Sequence, residues 1–354
     1  AEQFAFAVTV EVGGAEGSDD AGIGIGGEIH LQRGVDAVAV GGLDPDAPVA
    51  AGVPVAGVDD FDGFYDRSLK QRNLEEARAA GAADGVTLDV LEADVRDQSA
   101  IRSLMERHRP RLVVHAAALA GVRPSIADPA RYASVNVDGL VSVLEAARAT
   151  DCRAILFASS SSVYGNNPVV PFAEHHEVAE PISPYAASKR AAELFCHTYS
   201  HLFGLAIATL RFFTVYGPAQ RPDLAIASFM RRIAAGEPVT MFGDGTSSRD
   251  YTFVDDIVAG VLAAGHRVQA EAAAGRRFCR TYNLGGSSPI TLAEMIEAIA
   301  ETVGRPVTIR RESMQPGDVE RTWADLTRSR AELGFEPRTD FRTGLAAQWR
   351  WMQG

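Results

Sequence analysis

Tyr185 and Lys189, separated by Ala-Ala-Ser, are the residues whose types and spacing most directly suggest chemistry. On a helix, positions i and i+4 stack on one face, so a phenol and an ammonium four residues apart can share one pocket. A neighbouring cation favours the phenolate and lowers its pKa, which makes the pair a candidate proton acceptor and donor near neutral pH. The alternative is a surface helix with an incidental lysine. Composition argues against it: of the 34 basic residues only two, Lys70 and Lys189, are lysines, so nearly every other cation is arginine. Upstream of the tyrosine, Ser159-Ser160-Ser161-Ser162 closes the apolar run Ala154-Ile-Leu-Phe-Ala, which reads as a buried strand. Open α/β sheets bind ligands at the carboxyl ends of such strands. The serines are therefore candidate hydrogen-bonding partners for the same reacting oxygen.

The elements that must position these residues follow a regular rhythm. Strand patterns over residues 86–91, 112–115, 154–159 and 206–213 alternate with helical patterns over 99–108, 129–150 and 185–203. The strands are almost wholly apolar, as expected where both faces of a parallel sheet are covered. Repeated βαβ units predict an α/β protein with a doubly wound parallel sheet of Rossmann type. After Gly217 the rhythm breaks at Pro218, Pro222 and the Gly243-Asp-Gly245 turn, and a smaller α/β portion is expected. The expected division gives residues 1–217 to the larger domain, with 250–268 returning to it, and 218–249 with 269–354 to the smaller. The Ala-rich stretch Ala270–Gly275 reads as a surface loop.

Composition excludes several other functions. The net charge is −12 and no dense basic run exists, which argues against nucleic acid or an anionic membrane as partner. No run of 18 apolar residues is present, so no membrane span is expected. The first six residues lack a basic segment and an apolar one, so no export signal is expected. Cys152, Cys196 and Cys279 lie far apart with no C-x-x-C pair, which predicts neither a disulfide framework nor a metal site, and suits a reducing cytoplasm. The first sixty residues are the irregular part. Thirteen of the 33 glycines fall between Gly13 and Gly63. Residues 4–10 read as a first strand, after which a dinucleotide-binding fold would place its glycine turn. Gly22, Gly24 and Gly27 match G-x-G-x-x-G, yet they follow Ser18-Asp-Asp rather than a strand. A phosphate loop and an irregular glycine-rich insertion both remain open there.

From about Val55 onward these segments resemble the extended short-chain dehydrogenase/reductase family, in its nucleotide-sugar epimerase and dehydratase branch. Val55-Ala-Gly-Val-Asp59 is similar to the family's second strand, Glu92-Ala-Asp94-Val95 to its adenine-contacting segment, and Ala116-Ala117-Ala118 to the loop along the pyrophosphate and nicotinamide ribose. The resemblance implies NAD as cofactor, bound by Asp59, Asp94, Val95, Ala116, Ala117, Ala118, Tyr185 and Lys189. It also implies Ser160, Tyr185 and Lys189 as the catalytic set. Lys70 falls in a stretch similar to the family's surface segment after that strand. The family's T-G-x-x-G-x-x-G turn has no counterpart here; Gly13, Gly14 and Gly17 after the first strand are the best local substitutes.

Finer segments resemble the UDP-glucuronate 4-epimerase subgroup: Ala120-Gly-Val-Arg123, Arg211-Phe-Phe-Thr214-Val-Tyr-Gly-Pro218, Arg221-Pro-Asp223 and Arg249-Asp-Tyr-Thr-Phe-Val. The implied reaction is oxidation at the sugar C4 and hydride return to the other face. Arg249 would reach the UDP diphosphate and Arg123 the same ligand, while Ser161, Ser162, Thr214 and Arg221 would fix the sugar carboxylate. Related dehydratases and decarboxylases carry acids where Ser161 and Ser162 stand. Epimerisation of UDP-glucose is the alternative substrate reading, and a non-catalytic nucleotide-sugar sensor the alternative of another class. The resemblance also implies a homodimer.

Overall fold

The seven residues of Ala154–Ser160 are all buried, so this strand needs cover on both faces, and the chain supplies it with helices on either side of a sheet. The computed structural model describes residues 8–12, 55–83, 85–313 and 319–354. In chain order the strands are β1 (Val8–Val12), β2 (Val55–Asp59), β3 (Leu88–Glu92), β4 (Pro110–His115), β5 (Ala154–Ser160), β6 (Ala206–Phe212), β7 (Thr214–Tyr216), β8 (Val239–Phe242), β9 (Ser248–Phe253), β10 (Phe278–Leu284), β11 (Pro289–Thr291) and β12 (Ile309–Glu312). Seven of them form the main sheet in the order β10-β6-β5-β4-β1-β2-β3. Four neighbouring pairs are parallel, β10 with β6, β6 with β5, β5 with β4 and β2 with β3.

β1 is the exception to the parallel arrangement. It pairs antiparallel with both neighbours, Val8 lying opposite Val58 of β2 and His115 of β4. A parallel pair needs a crossover of a dozen or more residues, usually a helix, whereas an antiparallel pair does not. β2 and β4 still end at the same edge, but Val12, at the end of β1, faces Pro110 at the opposite edge. Gly13, Gly14 and Gly17, and likewise Gly22, Gly24 and Gly27, lie outside the described residues.

Alternation along the strands separates two cores. Leu112, Val114, Leu156 and Leu210 face the helix Val254–Ala273 through Ile257 and Val261. Val113, Ile155, Phe157 and Ile207 face the helices Gln98–His108, Gly139–Ala149 and Pro184–Phe203. A third core, around Met230, Met241, Met295 and Ile299, fills the smaller part. Two expectations change. The stretch from Ala270 to Ala273 is the last turn of a helix rather than a loop. β10, assigned from the sequence to the smaller domain, is the outermost strand of the main sheet.

The Pro184–Phe203 helix is bounded by local chemistry. Ser183 caps it by accepting the Ala186 N–H at 3.1 Å, Pro184 opens it, and Gly204 ends it at φ 71°. A buried ion pair then ties it to the sheet. Arg211 of β6 donates Nε and Nη2 to the Glu193 carboxylate, each at 2.9 Å, and Ser159 of β5 donates to the same group at 2.7 Å. Arg190, less deeply buried, also donates to the Glu193 carboxylate at 3.0 Å, so removing Arg211 takes away the buried cation but not the only one. Arg211→Met is expected to lower the unfolding free energy by about 1–3 kcal/mol, since Arg190 and Ser159 stay on the carboxylate. In urea unfolding, the double variant Arg211→Met/Glu193→Leu should recover a substantial part of that loss.

Candidate active site

Three groups of sequence-marked residues converge at the carboxyl edge of the main sheet. The first is the buried set at the end of β5. Ser160 caps a short 3-10 turn, Ser161–Tyr164, by accepting the Ser162 N–H at 3.0 Å, which turns the serine row inward. Ser160 also donates to the Ser162 hydroxyl at 3.0 Å. Tyr185 and Lys189 reach the same region from the helix, both buried. Tyr185 packs edge-on against Tyr132, 6.3 Å between ring centres, and its hydroxyl has no hydrogen-bond partner among the described residues.

Here the electrostatics depart from the simple expectation. Burial pushes the Tyr185 pKa far above its ordinary value, with Ser160 and Arg221 pulling the other way. Lys189 donates instead to the Ala158 carbonyl at 2.8 Å and sits 5.1 Å from the centre of the Phe157 ring. Burial lowers its own pKa to about 7, opposed by nearby acidic groups that include Glu193. The shared helix face is thus as expected, but Lys189 does not by itself bring Tyr185 toward neutrality. Desolvation outweighs it.

The second group lines a cleft of about 640 Å³ beside the ends of β2 and β4: Asp59, Val95, Ala117 and Ala118, joined by Lys70 and Arg221. Asp94 and Ala116 sit next to this lining without being part of it. Asp94 holds the Arg96 guanidinium, with Oδ1 accepting from Nε at 2.9 Å. Lys70 is a correction to the sequence reading: it is 4% exposed rather than on the surface, with Nζ 3.8 Å from Asp59 Oδ1. The third group lines a wider cleft of about 1470 Å³ bordered by the smaller part, where Arg123, Arg221 and Arg249 meet Phe242, Tyr251 and Leu292. Arg123 lies 4.8 Å above the Phe242 ring. Arg249 donates to the Ser248 carbonyl at 2.9 Å. Arg221 belongs to both clefts, stacked 4.7 Å from the Phe64 ring centre and paired with Asp223 at 2.7 and 3.0 Å. Thr214 lies buried in β7 and lines neither cleft.

Residues the sequence reading passed over complete the arrangement. The helical stretch after Pro129 opens into a π-turn, Ser134–Asp138, a feature common at functional sites. It delivers Asn136, whose amide accepts from the Leu119 N–H at 2.7 Å and donates to the Leu119 carbonyl and the Ser188 hydroxyl at 3.0 and 2.9 Å. Asn136 thereby joins the loop after β4 to the Tyr185 helix. A buried asparagine in an apolar helical pattern was the available signal. His115, fully buried at the end of β4, stacks on Phe157 at 5.9 Å. Burial, aided by Lys189, lowers its pKa to about 3 and keeps it neutral.

A dinucleotide fits this edge on the chain's own features. An acid closes β2, small alanines line the loop after β4 so that backbone can approach a ligand, and a buried hydroxyl without a partner among the described residues waits beside the serine row. The fold and the site together define a nucleotide-sugar-modifying enzyme of the extended short-chain dehydrogenase/reductase class. Residues 49–348 match the family model described as GDP-mannose 4,6 dehydratase, and the chain belongs to that family. It is 38% identical over 312 residues to UDP-glucuronate 4-epimerase 3 of Arabidopsis thaliana, covering 85% of this chain and 71% of that protein. It is 36% identical over 308 residues to a probable UDP-glucuronate 4-epimerase of Rhizobium meliloti (strain 1021), covering 84% and 89%. Its backbone is similar to the crystal structure of UDP-glucuronic acid 4-epimerase from Bacillus cereus in complex with UDP-glucuronic acid and NAD, with TM-score 0.75, 29% identity, and 84% and 90% of the two chains covered.

The depressed Lys189 pKa has a measurable sign. Between about 7 and the ordinary 10.5, the folded protein holds fewer protons at this site than the unfolded chain. This contribution to stability therefore rises with pH across that window and is lost as pH falls through 7. Lys189→Met should flatten that slope, up to about 1.4 kcal/mol per pH unit. In urea unfolding the variant should gain most on the wild type at pH 7 and least near pH 10.

Proposed function

We propose that the chain catalyses NAD-dependent 4-epimerisation of a UDP-sugar, interconverting UDP-glucuronate and UDP-galacturonate. One observation carries the reading: Ser160, Tyr185 and Lys189 come together, buried, at the carboxyl end of β5, beside two clefts that share Arg221. The similarity to UDP-glucuronate 4-epimerases over most of the chain supports it.

Tyr185 takes the proton of the sugar 4-hydroxyl and gives it back, while Ser160 hydrogen-bonds the same oxygen. NAD, held by Asp59, Val95, Ala117 and Ala118, supplies the hydride acceptor and donor when bound. Burial excludes water from the exchange and also raises the cost of a phenolate, so positive charge must be brought to Tyr185. Lys189, one helical turn along, and Arg221, at the junction of the clefts, are the cations placed to do this. The diphosphate falls to Arg249 and Arg123. Serines at 161 and 162 offer donors and no carboxylate, which leaves no acid at those positions to drive elimination or loss of CO2. With Arg221 they can hold a uronate carboxylate away from the geometry in which its C–C bond breaks. That demand for donors favours the uronate over UDP-glucose.

We further infer a homodimer, formed through the outer face of the Pro184–Phe203 helix, where Leu194, Leu202 and Phe203 are exposed. The three free cysteines suit a reducing cytoplasm. No helix of the described residues is long and apolar enough to cross a membrane.

Denaturing the purified protein should release NAD, and its turnover of UDP-glucuronate should exceed that of UDP-glucose. Higher turnover of UDP-glucose would overturn the substrate assignment. An empty site with no stabilisation by added NAD would overturn the enzyme reading. Tyr185→Phe should lower kcat about 10²–10⁴-fold with little change in substrate binding. Lys189→Arg keeps the charge but replaces a compact ammonium with a planar fork, and should lose most activity.

A further inference from the structure

Lys70 is the other lysine of the chain, and the proposed reaction does not use it. It lies on the first turn of the helix Arg67–Ala83, buried, and lines the 640 Å³ cleft with Asp59. Its Nζ is 3.8 Å from Asp59 Oδ1 and 5.0 Å from the centre of the Tyr65 ring. Asp59 Oδ1 also accepts the Phe61 N–H at 2.6 Å. The nearest approach of Lys70 and the Phe61 N–H thus meet at the same carboxylate oxygen.

We propose that Lys70 is a positioning residue for the dinucleotide: it keeps Asp59 ionised from one side, leaving the carboxylate able to accept hydrogen bonds from a ribose diol. This rests on the NAD-dependent reading above. The need for such a cation follows from the surroundings. Asp60 and Asp62 follow in the adjoining loop, Glu92 of β3 lies opposite Asp59 in register, Arg67 stands on the same helix as Lys70, and Arg221 lines the cleft from the smaller part. Arg67 is engaged with Glu92 and Asp62 with Arg131. Burial raises the Asp59 pKa, Asp60 and Asp62 add to the rise, and Lys70 is the largest influence against it. A protonated acid would offer a ribose diol a poorer acceptor. The identity of the cation matters as much as its sign. A guanidinium forks onto both oxygens of a carboxylate, whereas an ammonium acts as a point charge on one. A chain that otherwise uses arginine keeps a lysine where the second oxygen has to remain available.

Calorimetric titration of the full-length protein, freed of bound nucleotide, with NAD from pH 5.5 to 8 tests this. Wild-type affinity should vary little. Lys70→Met should bind more weakly than wild type at the acid end of the range and recover as pH rises, because losing the cation raises the Asp59 pKa further. Lys70→Arg should bind about tenfold more weakly at every pH. In an Asp59→Asn background, adding Lys70→Met should change affinity less than twofold. Thermal melts check that each variant folds; if Lys70→Met does not, Lys70→Gln replaces it in both arms. Wild-type-like binding by Lys70→Arg, a pH-independent loss in Lys70→Met, or a full further loss in the Asp59→Asn background would each overturn the inference. Wild-type protein that takes up no NAD at any pH overturns the functional reading and this inference with it. Normal wild-type uptake that the Lys70 variants leave unchanged overturns this inference alone.

Discussion

Desolvation at the carboxyl end of β5 is the constraint on which the rest of the site depends. A strand buried along its whole length delivers four serines, and a capped helix lays Tyr185 and Lys189 against them. Inside that region each polar group must find a partner or lose its charge. Lys189 finds the Ala158 carbonyl and still moves toward neutrality; His115 finds no hydrogen-bond partner among the described residues and stays neutral; Tyr185 stays protonated. The supporting contacts answer the same pressure. Glu193 and Arg211 neutralise one another behind the serine row, and Asn136 satisfies the loop after β4 and the helix at once. Charge in this region is therefore expensive, and the chain either pairs it internally, as with Glu193 and Arg211, or holds the group neutral.

Arg221 is where the two clefts communicate. Its guanidinium is paired with Asp223, lies over Phe64 from the loop after β2, and lowers the pKa of Tyr185. A ligand anion on the sugar side would compete with Asp223 for this fork, while the Phe64 contact ties the arginine to the dinucleotide side. One side chain thus borders both clefts and also lies within electrostatic reach of the Tyr185 phenol.

Much of this was legible in the sequence because it depends on local chemistry. The i, i+4 spacing put Tyr185 and Lys189 on one face, the helical pattern over 185–203 outlined their helix, and apolar runs marked the strands. What was not legible depends on tertiary context. The direction of β1 shows only in its pairing with two neighbours, which no strand-like run reveals by itself. Burial of Lys70 arises from a helix folding back over the end of β2, so a charged residue in a polar helix reads as surface until that packing is known. The π-turn that presents Asn136 is a register irregularity inside a helical pattern. The pKa of Tyr185 escapes the sequence because spacing reports proximity to a cation and says nothing of the cost of burial.

The lysine scarcity then acquires a physical reading. Arginine serves where a fork, a stack or a solvated charge is wanted: on Glu193, over Phe242, over Phe64 and around the surface. Both lysines are buried, each faces an aromatic ring at about 5 Å, and each sets its ammonium near an oxygen of the site, Ala158 O at 2.8 Å or Asp59 Oδ1 at 3.8 Å. A guanidinium in either place would need a second acceptor, and would find it by occupying the carboxylate or by turning away from the phenol. A compositional pressure toward arginine would thus spare lysine where a compact charge must act on one atom and leave its neighbours available for a ligand.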